Sequence, residues 1–440
     1  RDRGCYLLKT TTPFRSTVWL LFEKVVFLCV SLIVQLAIAR YLQPELFGKL
    51  SYLLALVALV SPIMALGLNS IVSREVLLRP ADTSQIVGSS MALRLLASVV
   101  VASIMIVLAY KLLPLDDWAL FSFLLISNIA TSALVVDFWL QAHVANRYGV
   151  LLRLSVLAIF GVARLIAIDQ DAELAVFVYL AGFELVFTGV LYLLAYHKLA
   201  GGLQFLQMSL SESRRLLSDS RWLLFSGIAA MIYIKVDQVM LGIMIGDRAV
   251  GIYVAAARIS EVWYFIPIAL VTSFFPQLMN KKVVDATAYA MDLQKLNDLL
   301  FALSVGVAII VSLSSSWLLP FLFGDAYADS AAVLVVHVWV AVFVFMRSLL
   351  SKWLLTENLL RLSMLSQVLG AVANVALNYF LIPIYGPIGA AYATVISYAV
   401  AGYLVLFCHS SLWPMAIIVS RSFILPLRAI RHGNQLYNLS

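Results

Sequence analysis

Residues Ser16 to Arg40 read STVWLLFEKVVFLCVSLIVQLAIAR, with Glu23 and Lys24 as the only charges before the closing arginine. As a helix this run is about 37 Å long at about 1.5 Å per residue, more than the roughly 30 Å of a hydrocarbon core. A basic segment (Arg1, Arg3, Lys9, Arg15) precedes it, as in a secretory leader. The apolar run is nevertheless too long for a leader, contains no small-residue cleavage motif, and is followed at once by a second apolar run at about 50 to 72. It reads as a retained membrane helix.

Working outward, the same pattern fills the chain. Of 440 residues, 63% are apolar and 12% charged, against about 45–50% and about 25% in soluble domains. A soluble protein is excluded. Charge clusters, Pro, Gly and Asn punctuate twelve apolar segments: 16–40, 50–72, 85–111, 118–138, 150–169 and 173–196, then 221–245, 250–278, 297–320, 331–352, 362–383 and 388–410. The longest polar break is 197–220. The expected organisation is a cytoplasmic N-terminal segment 1–15, a first six-helix bundle 16–196, a cytoplasmic linker 197–220, a second bundle 221–410 and a cytoplasmic tail 411–440. The fold class is an all-α polytopic membrane protein with twelve transmembrane helices.

Basic residues near span ends favour the cytoplasm. The termini with alternate loops hold nineteen Lys and Arg, and the opposite loops hold only Arg40, Lys49, Lys111 and Arg248. Both termini are therefore expected inside. The net charge of +7 follows from this asymmetry and calls for no nucleic-acid partner. A weak repeat accompanies it. Pro44 to Gly48 aligns with Asp247 to Gly251 at an offset of 203, and Leu113-Pro114 with Leu319-Pro320 at 206. Two halves of six helices share one orientation, related by an axis along the membrane normal.

Seven bases fall inside the spans: Lys24, Arg94, Arg153, Arg164, Lys235, Arg258 and Arg347. Each costs about 2.5–3.5 kcal/mol at a helix centre, so it should face a polar cavity or a partner. Arg153, Arg164 and Arg347 lie near span ends, where snorkelling accounts for them. Lys235 and Arg258 are the deep pair, with Lys24 and Arg94 intermediate. Among the acids, Glu261 follows Arg258 at i+3 and offers an ion pair. Asp237 sits on a different face from Lys235, Glu23 adjoins Lys24, and Glu184 lies mid-span, suited to bonding a neighbouring helix or carrying a proton. Asp137 reads as interfacial. Cys5, Cys29 and Cys408 are too scattered for a disulfide framework, and the five His have no metal-ligand spacing. No catalytic centre, metal site or cofactor is expected.

IARYLQPELFG (38–48), LGLNSIVSRE (66–75), IYIKVDQVMLG (232–242), AARISEVWYFIP (256–267) and IYGPIGAAYATVISY (384–398) together resemble the Wzx-type O-antigen repeat-unit flippases. The resemblance covers about 18–410. It implies the multidrug/oligosaccharidyl-lipid/polysaccharide exporter fold, two six-helix bundles around a central cavity open alternately to each side. It further implies an undecaprenyl-pyrophosphate-linked oligosaccharide as cargo, moved to the outer leaflet of the bacterial inner membrane, with other polysaccharide-assembly membrane proteins as partners. A cationic cavity suits that cargo, since desolvated phosphates need compensation. Lys24, Arg94, Lys235 and Arg258 are the candidate head-group contacts, and Tyr233, Trp263 and Tyr264 are candidate stackers on sugar faces. Two positions depart from the family pattern: Gln43 stands where Gly is usual, and Asn69 where an acid is common.

Three other functions compete. A flippase for a different polyprenyl-linked glycan differs only in cargo, and a drug or cation antiporter shares the fold. A membrane glycosyltransferase, polymerase or ligase typically needs a long outside loop bearing catalytic groups. The outside loops here are about twelve residues or shorter, and Asp116-Asp117 alone makes no active site.

Overall fold

The computed structural model describes residues 13–143, 146–202, 207–425 and 428, with side chains described from 26 onward apart from 146, 283 and 286. Glu23 and Lys24 lie in a helical stretch, but their side chains fall outside the described residues. The described residues are helical with short 3-10 turns and contain no strand. They form two compact units, Arg1–Val239 and Met240–Ser440.

The first unit holds α1 (Pro13–Ala65), α2 (Asn69–Leu78), α3 (Thr83–Leu112), α4 (Leu115–Asn128), α5 (Val135–Ala142), α6 (Asn146–Asp169), α7 (Leu174–Ala200) and most of α8 (Leu210–Met244). α1 packs on α6, α3 and α4, α4 on α7, and α2 on α5. Leu68, Val72, Ile86, Val136, Leu140 and Leu216 form a fully buried cluster where α2, α3, α5 and α8 meet. The second unit holds α9 (Asp247–Glu261), α10 (Phe265–Val284), α11 (Ala286–Phe323), α12 (Ser330–His337), α13 (Val340–Thr356), α14 (Leu360–Gly402) and α15 (Trp413–Phe423). Its core centres on α13, with Phe345, Leu349 and Leu350 packed among α10, α11 and α15 residues.

Two expected boundaries lie elsewhere in the structure. Within the polar break 197–220, Leu210 to Ser220 is helix continuous with α8, and the division between the compact units comes later, inside α8. Some polar residues of the break are solvated, such as Arg214, Ser218 and Asp219, but others are not. Glu212 is buried against Arg79, which caps α2, and Ser213 is buried with its hydroxyl donating to the Ser209 carbonyl. Likewise the stretch expected as a tail contains α15, whose Met415, Ala416, Ile418 and Val419 are buried.

Ten helical stretches among the described residues are long and apolar enough to cross a membrane, and the longest span 53 and 48 residues. Within these stretches the long helices α1 and α14 are each broken at one residue with non-helical φ/ψ, Gln43 in α1 (φ 59, ψ 168) and Gly386 in α14 (φ 57, ψ −133). A third turn has the same character: Gly246, with φ 121 and ψ 176, caps the start of α9. Gln43 and Gly246 are 203 residues apart, the offset of the sequence repeat, and in both cases the next residue enters a helix. The second repeat landmark corresponds less well. Leu113-Pro114 is a helix boundary, whereas Pro320 lies inside α11, which runs on to Phe323.

Glycine suits this turn because positive φ with extended ψ is essentially closed to residues bearing a Cβ. Gln43 occupies it with a side chain, and its Nε2 donates to the Arg40 carbonyl at 2.7 Å. At Gly67 the need is spatial as well. With φ 65, it lies where an added Cβ would be 2.5 Å from the Leu224 backbone nitrogen of α8.

Gln43→Gly is therefore expected to raise the thermal unfolding midpoint of the detergent-purified protein. Relief of strain worth about 1–3 kcal/mol exceeds the added backbone entropy of about 0.5–1 kcal/mol. A lowered midpoint would mean that the bond to Arg40 outweighs the strain.

Candidate functional site

The interior charges divide by what they touch. Arg153 on α6 donates through Nη1 to Asp137 Oδ1 on α5 at 2.7 Å, and Tyr192 on α7 donates to the same oxygen at 3.0 Å. Arg164 on α6 pairs with Glu184 on α7 at 2.5 Å. Arg347 on α13 donates to the Ala401 carbonyl at 2.6 Å and to Ser366 Oγ at 3.2 Å, both on α14. Snorkelling, expected for these three from their position near span ends, is not what the structure shows. Each guanidinium reaches sideways to a neighbouring helix, because its fork of donors finds acceptors there at no cost of leaving the bundle. Asp137 is thus a partner for Arg153, and Glu184 bonds a neighbouring helix.

Arg94 on α3 is different. It is 5% exposed, its Nη1 donates to Asn69 Oδ1 at the start of α2 at 3.2 Å, and its Nε has no hydrogen-bond partner. Among the described residues it forms no ion pair. A buried guanidinium with one neutral acceptor keeps most of its donors and all of its charge uncompensated. Asn69, at the position where the resemblance leads one to expect an acid, is the residue that accepts from Arg94, and its amide carries no counter-charge.

Arg258, half-buried near the end of α9, also forms no ion pair among the described residues, and Glu261 does not pair with it. The i+3 spacing places their Cβ atoms on one face, but two long side chains retain rotamers that point apart. Lys235 is half-buried and Asp237 is 1% exposed; both engage neighbours. Of the proposed stackers, Trp263 and Tyr264 pack against the α13-centred core and Tyr233 is 6% exposed, placing all three in packing.

One cluster escaped the sequence reading, which counted its bases only as loop charges. Glu75, at the end of α2, takes Arg74 at 2.8 Å and Arg215 of α8 at 2.7 Å, and Arg79 lies 3.3 Å away. Glu212 of α8 takes Arg79 at 2.5 Å and Arg215 at 2.8 Å. Hydrogen bonding to Glu212 holds the Arg79 guanidinium above its ordinary value. Two nearly buried carboxylates share three guanidiniums, so the network staples α8 to the α2 end. The available signal was an acid beside a base in each segment, Arg74-Glu75 and Glu212 with Arg215 at i+3.

The arrangement of helices matches known transporters. An inward-facing multidrug-resistance MATE transporter of the MOP superfamily superposes with a TM-score of 0.69 at 15% identity, covering 93% of this chain and 99% of the other. The lipid II flippase MurJ, in an inward closed conformation, gives 0.64 at 12% identity over 97% and 93%. A MOP superfamily transporter from Pyrococcus furiosus, described as having a binding pocket of reverse polarity, gives 0.64 at 16% over 95% and 98%. The class is thus an all-helical, multi-pass membrane protein with the MATE and MurJ fold.

Residues 14–281 match the polysaccharide biosynthesis protein family, and the chain belongs to it. Two similar proteins from Haloferax volcanii are Agl15, a "probable low-salt glycan biosynthesis flippase", and AglR, a "probable flippase". Agl15 is 24% identical over 244 residues, 54% of this chain and 49% of the relative. AglR is 28% identical over 211 residues, 46% and 43%. The chain spans about half the length of these curated relatives.

The Arg164–Glu184 contact yields a double-mutant test. Glu184→Gln should destabilise the protein by about 1–3 kcal/mol, between the values for exposed and buried pairs. Arg164→Glu combined with Glu184→Arg should recover most of the loss in thermal midpoint. If the double reversal is as unstable as either single reversal, the contact is not a pair.

Proposed function

We propose that the chain is a flippase that carries a polyprenyl-pyrophosphate-linked oligosaccharide across a bilayer by alternating access, with an O-antigen repeat unit on undecaprenyl pyrophosphate as its cargo. Membership of the polysaccharide biosynthesis family, the flippase names of its relatives and the transporter fold support this reading. The observation that carries it is Arg94, a cation buried within the first unit without a counter-ion among the described residues. A protein leaves a guanidinium uncompensated in an apolar interior when a ligand supplies the anion, and a pyrophosphate accepts from that planar fork in bidentate fashion. Arg258 offers the same chemistry in the second unit, and Lys235 and Lys24 add charge. Names given to the archaeal relatives support a glycan as cargo more directly than they support O-antigen itself.

In this reading the stretches interrupted at Gln43 and Gly386 each cross twice, so that ten apolar stretches become twelve spans, six in each half of the chain. The nineteen-to-four distribution of bases supports both termini in the cytoplasm, and an O-antigen cargo would put the protein in a bacterial inner membrane. A periplasm-active phosphatase fused after Arg214 should be silent, and one fused after Asp171 or Asp325 active. Activity at Arg214 would overturn the topology.

Flipping itself is tested in vesicles loaded with lipid-linked oligosaccharide, scoring sugar exposed on the far side. Arg94→Ala should lower the rate at least tenfold at equal protein level, since a charge-assisted bond is worth about 1.5–3 kcal/mol. Arg94→Lys should recover part of it. Wild-type rates for Arg94→Ala would remove the observation on which the reading rests.

A further inference from the structure

α10 and α11 turn back on each other at Asp285, whose carboxylate accepts from the Thr287 and Ala288 backbone nitrogens and so caps α11. Beside this turn lies a cavity of about 300 Å³ lined from both helices. Its α10 wall is Phe274, Gln277, Leu278 and Lys281, with the exposed Gln277 between the apolar and charged ends, and its α11 wall includes Asp292, Lys295 and Leu299. Spacings of three and four residues put each set on one helix face. The groove is graded. Its charged atoms gather at the Asp292 carboxylate, which takes Lys281 and Lys295, and Leu299, seven residues or about 10 Å further along α11, and Phe274, seven residues before Lys281 on α10, line its apolar end. Those two side chains are 45% and 41% exposed, whereas Leu278 is 5% exposed and forms the floor.

The charged end has a surplus of cation. Lys281 pairs with Asp292, and Lys295 Nζ lies 3.7 Å from the same carboxylate. One carboxylate thus gathers two ammonium groups at the groove mouth, and each ammonium has three donors, leaving several unused. The lysine side chains are 52% and 57% exposed. Neighbouring Lys282 is spent elsewhere, on Glu357 at 2.6 Å.

We propose that this groove holds one anionic phospholipid, its phosphate between Lys281 and Lys295 and an acyl chain along Phe274 and Leu299. The polar-to-apolar gradient runs in the direction in which a lipid enters a bilayer, a gradient for which a free phosphate has no use. Surplus positive charge selects an anionic head, and Asp292 is already engaged and unavailable to a choline ammonium. The site is separate from Arg94 and does not depend on the transport reading.

The test titrates the full chain, purified in detergent, with phosphatidylglycerol or phosphatidylcholine and counts bound lipid by native mass spectrometry. Phosphatidylglycerol should be retained preferentially. Lys281→Ala and Lys295→Ala should each weaken it about fivefold, the share expected of one surface lysine. Lys282→Ala should leave it unchanged, and Asp292→Asn should tighten it. Because Lys281→Ala also breaks an ion pair, Lys295→Ala and Leu299→Gln at unaltered thermal midpoint serve as the folding-independent variants, and both should weaken binding. Equal retention of the two lipids, or no loss in Lys295→Ala, would overturn the proposal. Displacement of phosphatidylglycerol by equimolar inorganic phosphate would make this an ion site, and displacement by a tenfold lower concentration of polyprenyl phosphate would make it a site for carrier lipid. Either result would also overturn it.

Discussion

An ionised side chain in a hydrocarbon environment must be given a partner, and the interior of both compact units is arranged around that requirement. Arg153 and Arg164 find carboxylates on adjacent helices, and Arg347 finds a carbonyl and a hydroxyl. These contacts are transverse. They fix α6 against α5 and α7, and α13 against α14, in a chain where apolar surface alone gives little orientation because lipid tails are as apolar as the side chains. Against this background Arg94, bonded among the described residues to Asn69 alone and more deeply buried than Arg258, which also lacks an ion pair there, has chemical meaning. The guanidinium carries a charge that no described residue answers.

The same logic extends to the Glu75 and Glu212 network. Three guanidiniums around two carboxylates tie α8 to the end of α2, and α8 is the helix within which the two units divide. The first unit therefore grips the segment that leads into the second through charge, at the end of the bundle, and through the close approach of Gly67 to Leu224 deeper along it. The turns at Gln43, Gly246 and Gly386 redirect the chain in a similar local manner, with positive φ immediately before a helical segment. Two use glycine. The third uses glutamine and carries the strain.

Much of this was legible in the sequence, for identifiable reasons. Helix positions followed from uninterrupted apolar runs, and 173–196 and 85–111 correspond closely to α7 and α3. Gln43, standing where glycine is usual, marked a turn whose positive φ favours glycine. Side-chain partners were another matter. Depth along a helix can be counted from its ends, but the neighbour across the interface cannot, so Arg153, Arg164 and Arg347 read as snorkelling when they are paired. The Arg258 and Glu261 spacing read as a pair when no bond joins them. The break at 197–220 looked like a linker because composition does not distinguish a solvated charge from one buried against opposite charge. Arg94 gained weight only when its surroundings were visible.

Transport as proposed requires a ligand's phosphate to complete the Arg94 site. The direct measurement is an experimental structure of the full chain with polyprenyl-pyrophosphate-linked oligosaccharide bound. It should place a phosphate oxygen within about 3 Å of the Arg94 guanidinium, the reach of a charge-assisted hydrogen bond. A bound cargo whose pyrophosphate lies elsewhere, with Arg94 still held by Asn69 alone, would contradict it.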